Sequence, residues 1–114
     1  MDRGISDTNI LKQFCESFCA IIEKHTPYII VSGYLVIASG RYRATEDIDM
    51  ILPRLSLAEF IALHTDLVSH NFECVQSPDA HEIYQDYLCQ NISIRYVQKG
   101  RFVPEMEIKF VKDI

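Results

Sequence analysis

The sequence predicts an α+β (α/β-type) domain: a mixed β-sheet of about five strands with helices packed on it. Three observations predict it. Apolar residues recur at helical spacing in two long segments, Thr8 to Lys24 and Leu57 to about Asn71. Short apolar or alternating runs rich in β-branched residues fall between and after them. Gly and Pro, four each, sit between these segments, which argues for continuous structure without a flexible linker. A length of 114 residues matches one domain, 1–114.

The first helix carries Ile10, Phe14, Phe18, Ile21 and Ile22, with Asp7 to Asn9 as its caps, and His25-Thr26-Pro27 ends it. Tyr28 to Val31 is a fully apolar run followed by Ser32-Gly33, a buried strand. Tyr34 to Ser39 is expected as a short helix closed by Gly40. Asp47 to Leu52 alternates and then stays apolar up to Pro53, a second strand. Ser56-Leu57-Ala58-Glu59 is a capping box: the Ser hydroxyl takes a free helix amide and the Glu reaches back. Phe72 to Gln76 predicts a third strand, and Ser77 to Leu88 a loop or short helix. Ile92 to Val97 predicts a fourth strand. Gln98-Lys99-Gly100 is a turn, and Phe102 to Val111 a partner strand interrupted by Pro104.

Charge narrows the function classes. Lys+Arg total 11 against 16 Asp+Glu, a net charge of −5, so a broad basic surface for nucleic acid is not expected. No apolar run approaches the roughly 18 residues that a membrane helix needs. Met1-Asp2-Arg3-Gly4 lacks the charged-then-apolar pattern of a secretion signal. The expectation is a soluble cytoplasmic domain with no membrane partner. The four cysteines, Cys15, Cys19, Cys74 and Cys89, form no C-x-x-C pair and are expected mostly in the core. Cys15 and Cys19, four apart on a helix, are the one pair placed to share a metal.

The chemistry-bearing stretch runs from Val31 to Leu52. Asp47 and Asp49 lie two apart on a strand, so both belong to one face, about 7 Å apart along the chain. Two such carboxylates repel unless a cation lies between them, and hard oxygen ligands suit Mg²⁺ or Mn²⁺. Ile48 and Met50 then face the core and hold the strand. Ser32-Gly33 stands where a buried strand ends, and free amides there attract anions. Arg41, Arg43 and Thr45 precede the acidic pair and can reach the same anion. A D-x-D pair by itself is also common as solvent-facing aspartate on an edge strand. The combination of apolar strand, small-residue turn, R-x-T and D-h-D (h apolar) is far more specific.

That combination resembles the nucleotidyltransferase superfamily typified by DNA polymerase β. It is most similar to the minimal prokaryotic nucleotidyltransferases and the AbiEii-type toxin relatives. Ser32 stands at the first position of the family's Gly-Gly/Ser turn and Gly33 at the second, and Arg43 to Asp49 resembles the R-x-T-x-D-h-D variant. The resemblance implies a metal-dependent transfer of an NMP group from a nucleoside triphosphate to a hydroxyl on RNA, a protein or a small molecule. It implies that Asp47 and Asp49 hold Mg²⁺ or Mn²⁺ and that Ser32 and Gly33 cradle the triphosphate; from their own placement, Arg41, Arg43, Thr45 and Lys109 are expected as further nucleotide contacts. The family's third carboxylate lies on a later neighbouring strand. Ile92 to Tyr96 offers Ser93 and Arg95 instead of an acid, so Glu107 is the candidate, with Lys109 on its face. The other reading of Glu107 and Lys109 is an ion pair.

Two further functions compete. One is a binding module of the same fold without catalysis, acting with a partner protein or as a homo-oligomer, as in toxin–antitoxin pairs. The other is a D-x-D sugar-nucleotide glycosyltransferase, disfavoured by length and by the unexplained Ser-Gly turn. His25, His64, His70 and His81 lack metal-like spacing and are expected at the surface or in caps. Tyr84, Tyr87 and Phe102 offer a base-stacking face, with core packing the expected role. Glu16, Glu23, Glu59 and Asp66 are expected on solvated helix faces.

Overall fold

A computed structural model describes the backbone of residues 3–32 and 47–112, and the side chains of 10–31 and 48–112. The elements are α1 (Arg3–Ile22), β1 (Ile29–Ser32), β2 (Asp47–Leu52), α2 (Leu57–Ser69), β3 (Phe72–Cys74), the helical segment α3 (80–90), β4 (Ile94–Gln98) and β5 (Glu105–Phe110). α3 is composite: an α-turn over Ala80–Glu82, a π-turn over Ile83–Tyr87 and a 3-10 turn over Leu88–Gln90. The five strands form one mixed sheet in the order β1-β2-β5-β4-β3. β2 and β5 run parallel; the other three pairings are antiparallel. This is the expected α+β architecture. The expected helix over Tyr34 to Ser39 lies outside the described residues.

α1 begins at Arg3 rather than Thr8, so Asp7 to Asn9 lie inside it and do not cap it. Its buried stripe is Leu11, Phe14, Cys15, Phe18, Cys19, Ile21 and Ile22. Ile10, expected in that stripe, is 42% exposed. At about 100° per residue, position 11 lies roughly 20° from the direction of Phe18 and position 10 roughly 80° away. Leu11 therefore takes the core place.

The capping box of α2 forms as expected: Glu59 N–H donates to Ser56 Oγ at 3.1 Å, and Ser56 N–H donates to Glu59 Oε1 at 2.8 Å. α2 buries Phe60, Leu63, His64 and Leu67. It ends where Asn71 takes a left-handed φ of 70°, and α3 ends at Asn91 in the same way with φ 62°. β5 starts at Glu105 because Pro104, with its cis peptide bond, has no N–H to give the ladder.

The helices pack on one face of the sheet. Phe18 meets Phe72 and Tyr96, and Tyr84 links Phe60 to Phe110. Ile48, Met50, Leu52, Met106, Ile108, Ile94 and Tyr96 supply the sheet side of that core, all fully buried. Tyr84 and Tyr87 pack against the core as expected, but Phe102 is 90% exposed, because it lies in the β4–β5 connection beyond the reach of the helices. His64 is buried too, contrary to its expected surface role: it sits one helical turn after Phe60, on the core stripe. Its Nε2–H donates to the Pro78 carbonyl at 3.2 Å, and Tyr96 OH donates to its Nδ1 at 2.6 Å. Asp66, expected as a solvated position, joins Lys24 at 3.1 Å and His25 at 2.8 Å through Oδ2 and His70 at 3.2 Å through Oδ1. It ties the end of α1 to α2. Among the described residues no helix is long and apolar enough to cross a membrane.

Candidate functional site

The sheet face opposite the helices carries the chemistry. Alternation along β2 sends Ile48 and Met50 into the core, both 0% exposed, and leaves Asp49 half-buried on the other side. The pattern repeats on β5, where Met106, Ile108 and Phe110 are buried and Glu105 and Glu107 half-buried, with Lys109 exposed. Glu107 and Lys109 thus share a face.

The parallel register decides which acids meet. Asp49 is the Cα partner of Glu107, and Asp47 of Glu105. Neighbouring strands lie about 4.8 Å apart, so Asp49 and Glu107 stand side by side on the open face. Asp47 takes the register position beside Glu105; its side chain lies outside the described set. On the other flank of β2, Val31 pairs with Asp49 and Ser32 with Ile48. β1 therefore ends beside the stretch that separates the two aspartates. Ser32 is placed by its backbone alone, and Gly33, Arg41, Arg43 and Thr45 lie outside the described residues.

β4 completes the row. Arg95 is the Cα partner of Glu107, and its Nε lies 3.5 Å from Glu105 Oε1. Ser93 Oγ donates to Glu107 Oε2 at 2.6 Å. This hydroxyl, rather than Lys109, is the side-chain partner that Glu107 has here. Ser93 stands where the family motif has an acid; the signal for its role is its place two residues before Arg95, just ahead of the strand that faces Glu107. Asp49 makes a further contact of its own.

Among the described residues this arrangement concentrates negative charge at the N-terminal ends of β2 and β5, with the Arg95 guanidinium and the Ser93 hydroxyl at its edge. Oxygen donors of this kind suit a hard divalent cation. Among the described residues no group of three or more His, Cys, Asp or Glu side chains converges tightly enough to hold a metal, and Asp47 falls outside that set. The fit therefore depends on Asp47 joining Asp49 and Glu107.

The second candidate pair is elsewhere. Cys15 and Cys19 are buried on α1 with their Sγ atoms 4.0 Å apart. The contact holds the Cys15 thiol below its usual range and, with burial, pushes Cys19 above it. This fits one thiol donating to the other. Cys74 is raised by burial, and Cys89 is exposed.

No family model, no curated protein and no solved structure matches this chain.

Proposed function

We propose that the open face of the sheet is a nucleotidyl-transfer site: it takes a nucleoside triphosphate with Mg²⁺ or Mn²⁺ and passes the NMP group to a hydroxyl acceptor. The single observation that carries this reading is the parallel register of β2 and β5, which sets Asp49 beside Glu107. The resemblance from the sequence calls for a third carboxylate on a strand next to the D-x-D strand, and β5 is that neighbour. Asp47, Asp49 and Glu107 would hold the cation. When bound, it would neutralise the phosphate oxygens and lower the pKa of the acceptor hydroxyl.

The chain's own residues do the rest. Ser93 fixes the Glu107 carboxyl through Oε2, which leaves Oε1 to face the cation, and one of the three carboxylates takes the acceptor proton. The acceptor oxygen forms a bond to the α-phosphorus, and the bond from that phosphorus to the bridging oxygen breaks, releasing pyrophosphate. The end of β1 and the Ser32-Gly33 turn would seat the phosphates, with Arg43, Arg41 and Thr45 as contacts that follow from the motif. Lys109, exposed on the same face, would add a positive charge.

One observation favours a second reading, a nucleotide- or partner-binding module without turnover. Arg95 and Ser93 already engage Glu105 and Glu107, so part of the acid row is satisfied without a cation. The test separates the two. The protein is titrated calorimetrically with each NTP in Mg²⁺ or Mn²⁺, then incubated with α-labelled NTPs and cell extract. Label transfer supports the enzyme, binding without transfer supports the module, and neither binding nor transfer refutes both.

A further inference from the structure

We infer that the cavity beside the acid row on the same sheet face, toward the β3 edge and under the β4–β5 connection, seats the nucleobase of the bound nucleotide, with Phe102 as its stacking surface. This rests on the nucleotide reading above and names the part of the ligand that the acid row leaves unexplained. The cavity has a volume of about 350 Å³. Val75, Val97, Arg101, Phe102, Glu73 and Glu105 line it. That size and an apolar lining with a few polar groups are typical of small-molecule sites, which span roughly 300–1,000 Å³.

Each part has a role that a flat aromatic heterocycle fills. Val97 is 5% exposed and sits two positions along β4 from Arg95, on the acid-bearing side. It makes an apolar floor. Phe102, 90% exposed, offers a ring that no core residue covers. Every base has a π-face to lay against such a ring, and Arg101 next to it adds a cation–π partner. Glu73 and Glu105 present acceptors to the N–H groups of a base edge.

Glu105 belongs to both halves of the face. It lines the cavity, and it is the register partner of Asp47. β4 lies two strand spacings from β2, about 10 Å. That span matches the reach from the phosphate to the base within one nucleotide. A ligand whose phosphates sit at the acid row can therefore place its base in the cavity without bending back.

The test titrates the full chain with Mg²⁺ and three probes: tripolyphosphate, non-hydrolysable NTPs, and nucleosides without phosphate. Wild type is compared with Phe102→Ala and Phe102→Tyr; a ring this exposed is removable without disturbing the core. NTPs are expected to bind wild type about 5- to 150-fold tighter than tripolyphosphate, the worth of one stacked base. Phe102→Ala should lose that margin and leave tripolyphosphate binding unchanged, and Phe102→Tyr should keep it. Equal NTP affinity in wild type and Phe102→Ala overturns the inference while leaving the acid-row reading intact. If tripolyphosphate fails to bind wild type, the acid-row reading fails; nucleoside binding lost in Phe102→Ala still supports the cavity, and nucleoside binding that is absent or unchanged by the substitution overturns it. Self-association abolished by Phe102→Ala with nucleotide affinity unchanged also overturns it, assigning the ring to a protein contact.

Discussion

Asp49→Asn tests the heart of the proposed site. Asp49 and Glu107 are register partners on adjacent strands. Two carboxylates roughly 5 Å apart repel by about 0.8 kcal/mol at the dielectric of water and about 3 kcal/mol at an effective value near 20. Both groups are half-buried and closer than a Debye length, so salt screens them little and the repulsion lies between these limits. Neutralising Asp49 removes that repulsion and also weakens the contact Asp49 itself makes. The metal-free stability should then change by no more than about 3 kcal/mol in either direction.

The ligand-dependent term is separate. A ligand present at one hundred times its dissociation constant stabilises the fold by about 2.7 kcal/mol. For a domain of this size that raises the melting midpoint by roughly 10 °C. The assay is a thermal melt with and without Mn²⁺ and a non-hydrolysable NTP. Wild type should show the full rise, and Asp49→Asn less than about a quarter of it, since a charged donor to the cation is lost. Glu16→Gln, which removes an exposed acid from α1, controls for net charge and should keep the rise. An undiminished rise in Asp49→Asn refutes the assignment of Asp49 as a metal ligand.

Two other outcomes follow from named contacts. Ser93→Ala frees Glu107 Oε2 and should cost about 0.5–1.5 kcal/mol of stability; a Mg²⁺ titration should show a raised half-saturation point, and an unchanged one refutes a positioning role for Ser93. Burial holds His64 below its ordinary range, so the unfolded chain binds the extra proton first. Stability should therefore be full above the unfolded value, about 6.5, and fall as pH drops from there toward the folded value. Denaturant melts from pH 8 to pH 5 should show this slope, and His64→Gln should flatten it; an equal slope in both refutes the assignment.

Local features were legible in the sequence wherever one segment decides the matter. β2 runs Asp47–Leu52 as expected, because its alternation and the stop at Pro53 are both local. The Ser56–Glu59 box is likewise self-contained. Features set by packing were not legible. The Asp66 cluster needs α1 and α2 to meet across 41 residues of chain. The burial of His64 was in fact encoded, since it follows Phe60 by four and Leu63 by one on the apolar stripe; residue type outweighed position. The exposure of Phe102 had a local sign as well, the Gly100 turn before it and Pro104 after it, which leave no strand to carry the ring inward. At the site, Asp49 and Glu107 were identifiable one by one. Their adjacency was not, because the partner of β2 is chosen by a parallel crossover through α2, β3, α3 and β4.

The register also explains why the acids sit at one end of the face rather than along it. Moving from the N-terminal ends of β2 and β5, the paired positions change from Asp47 and Glu105, through Asp49 and Glu107, to Ile51 and Lys109. β1 runs the other way and adds Val31 beside Asp49 and Ile29 beside Ile51. The face is thus acidic where β1 ends at Ser32, and where β1 begins it is apolar apart from Lys109. Like charges on neighbouring strands repel, and among the described residues Arg95 and Ser93 offset this from the β4 side. On the β1 side Val31 is the register neighbour of Asp49. On the proposed reading, a cation carrying polyphosphate would sit at this end of the face, next to the end of β1. The proposed site and the acid cluster thus share one corner of the sheet, set by the parallel register of β2 with β5 and by the end of β1.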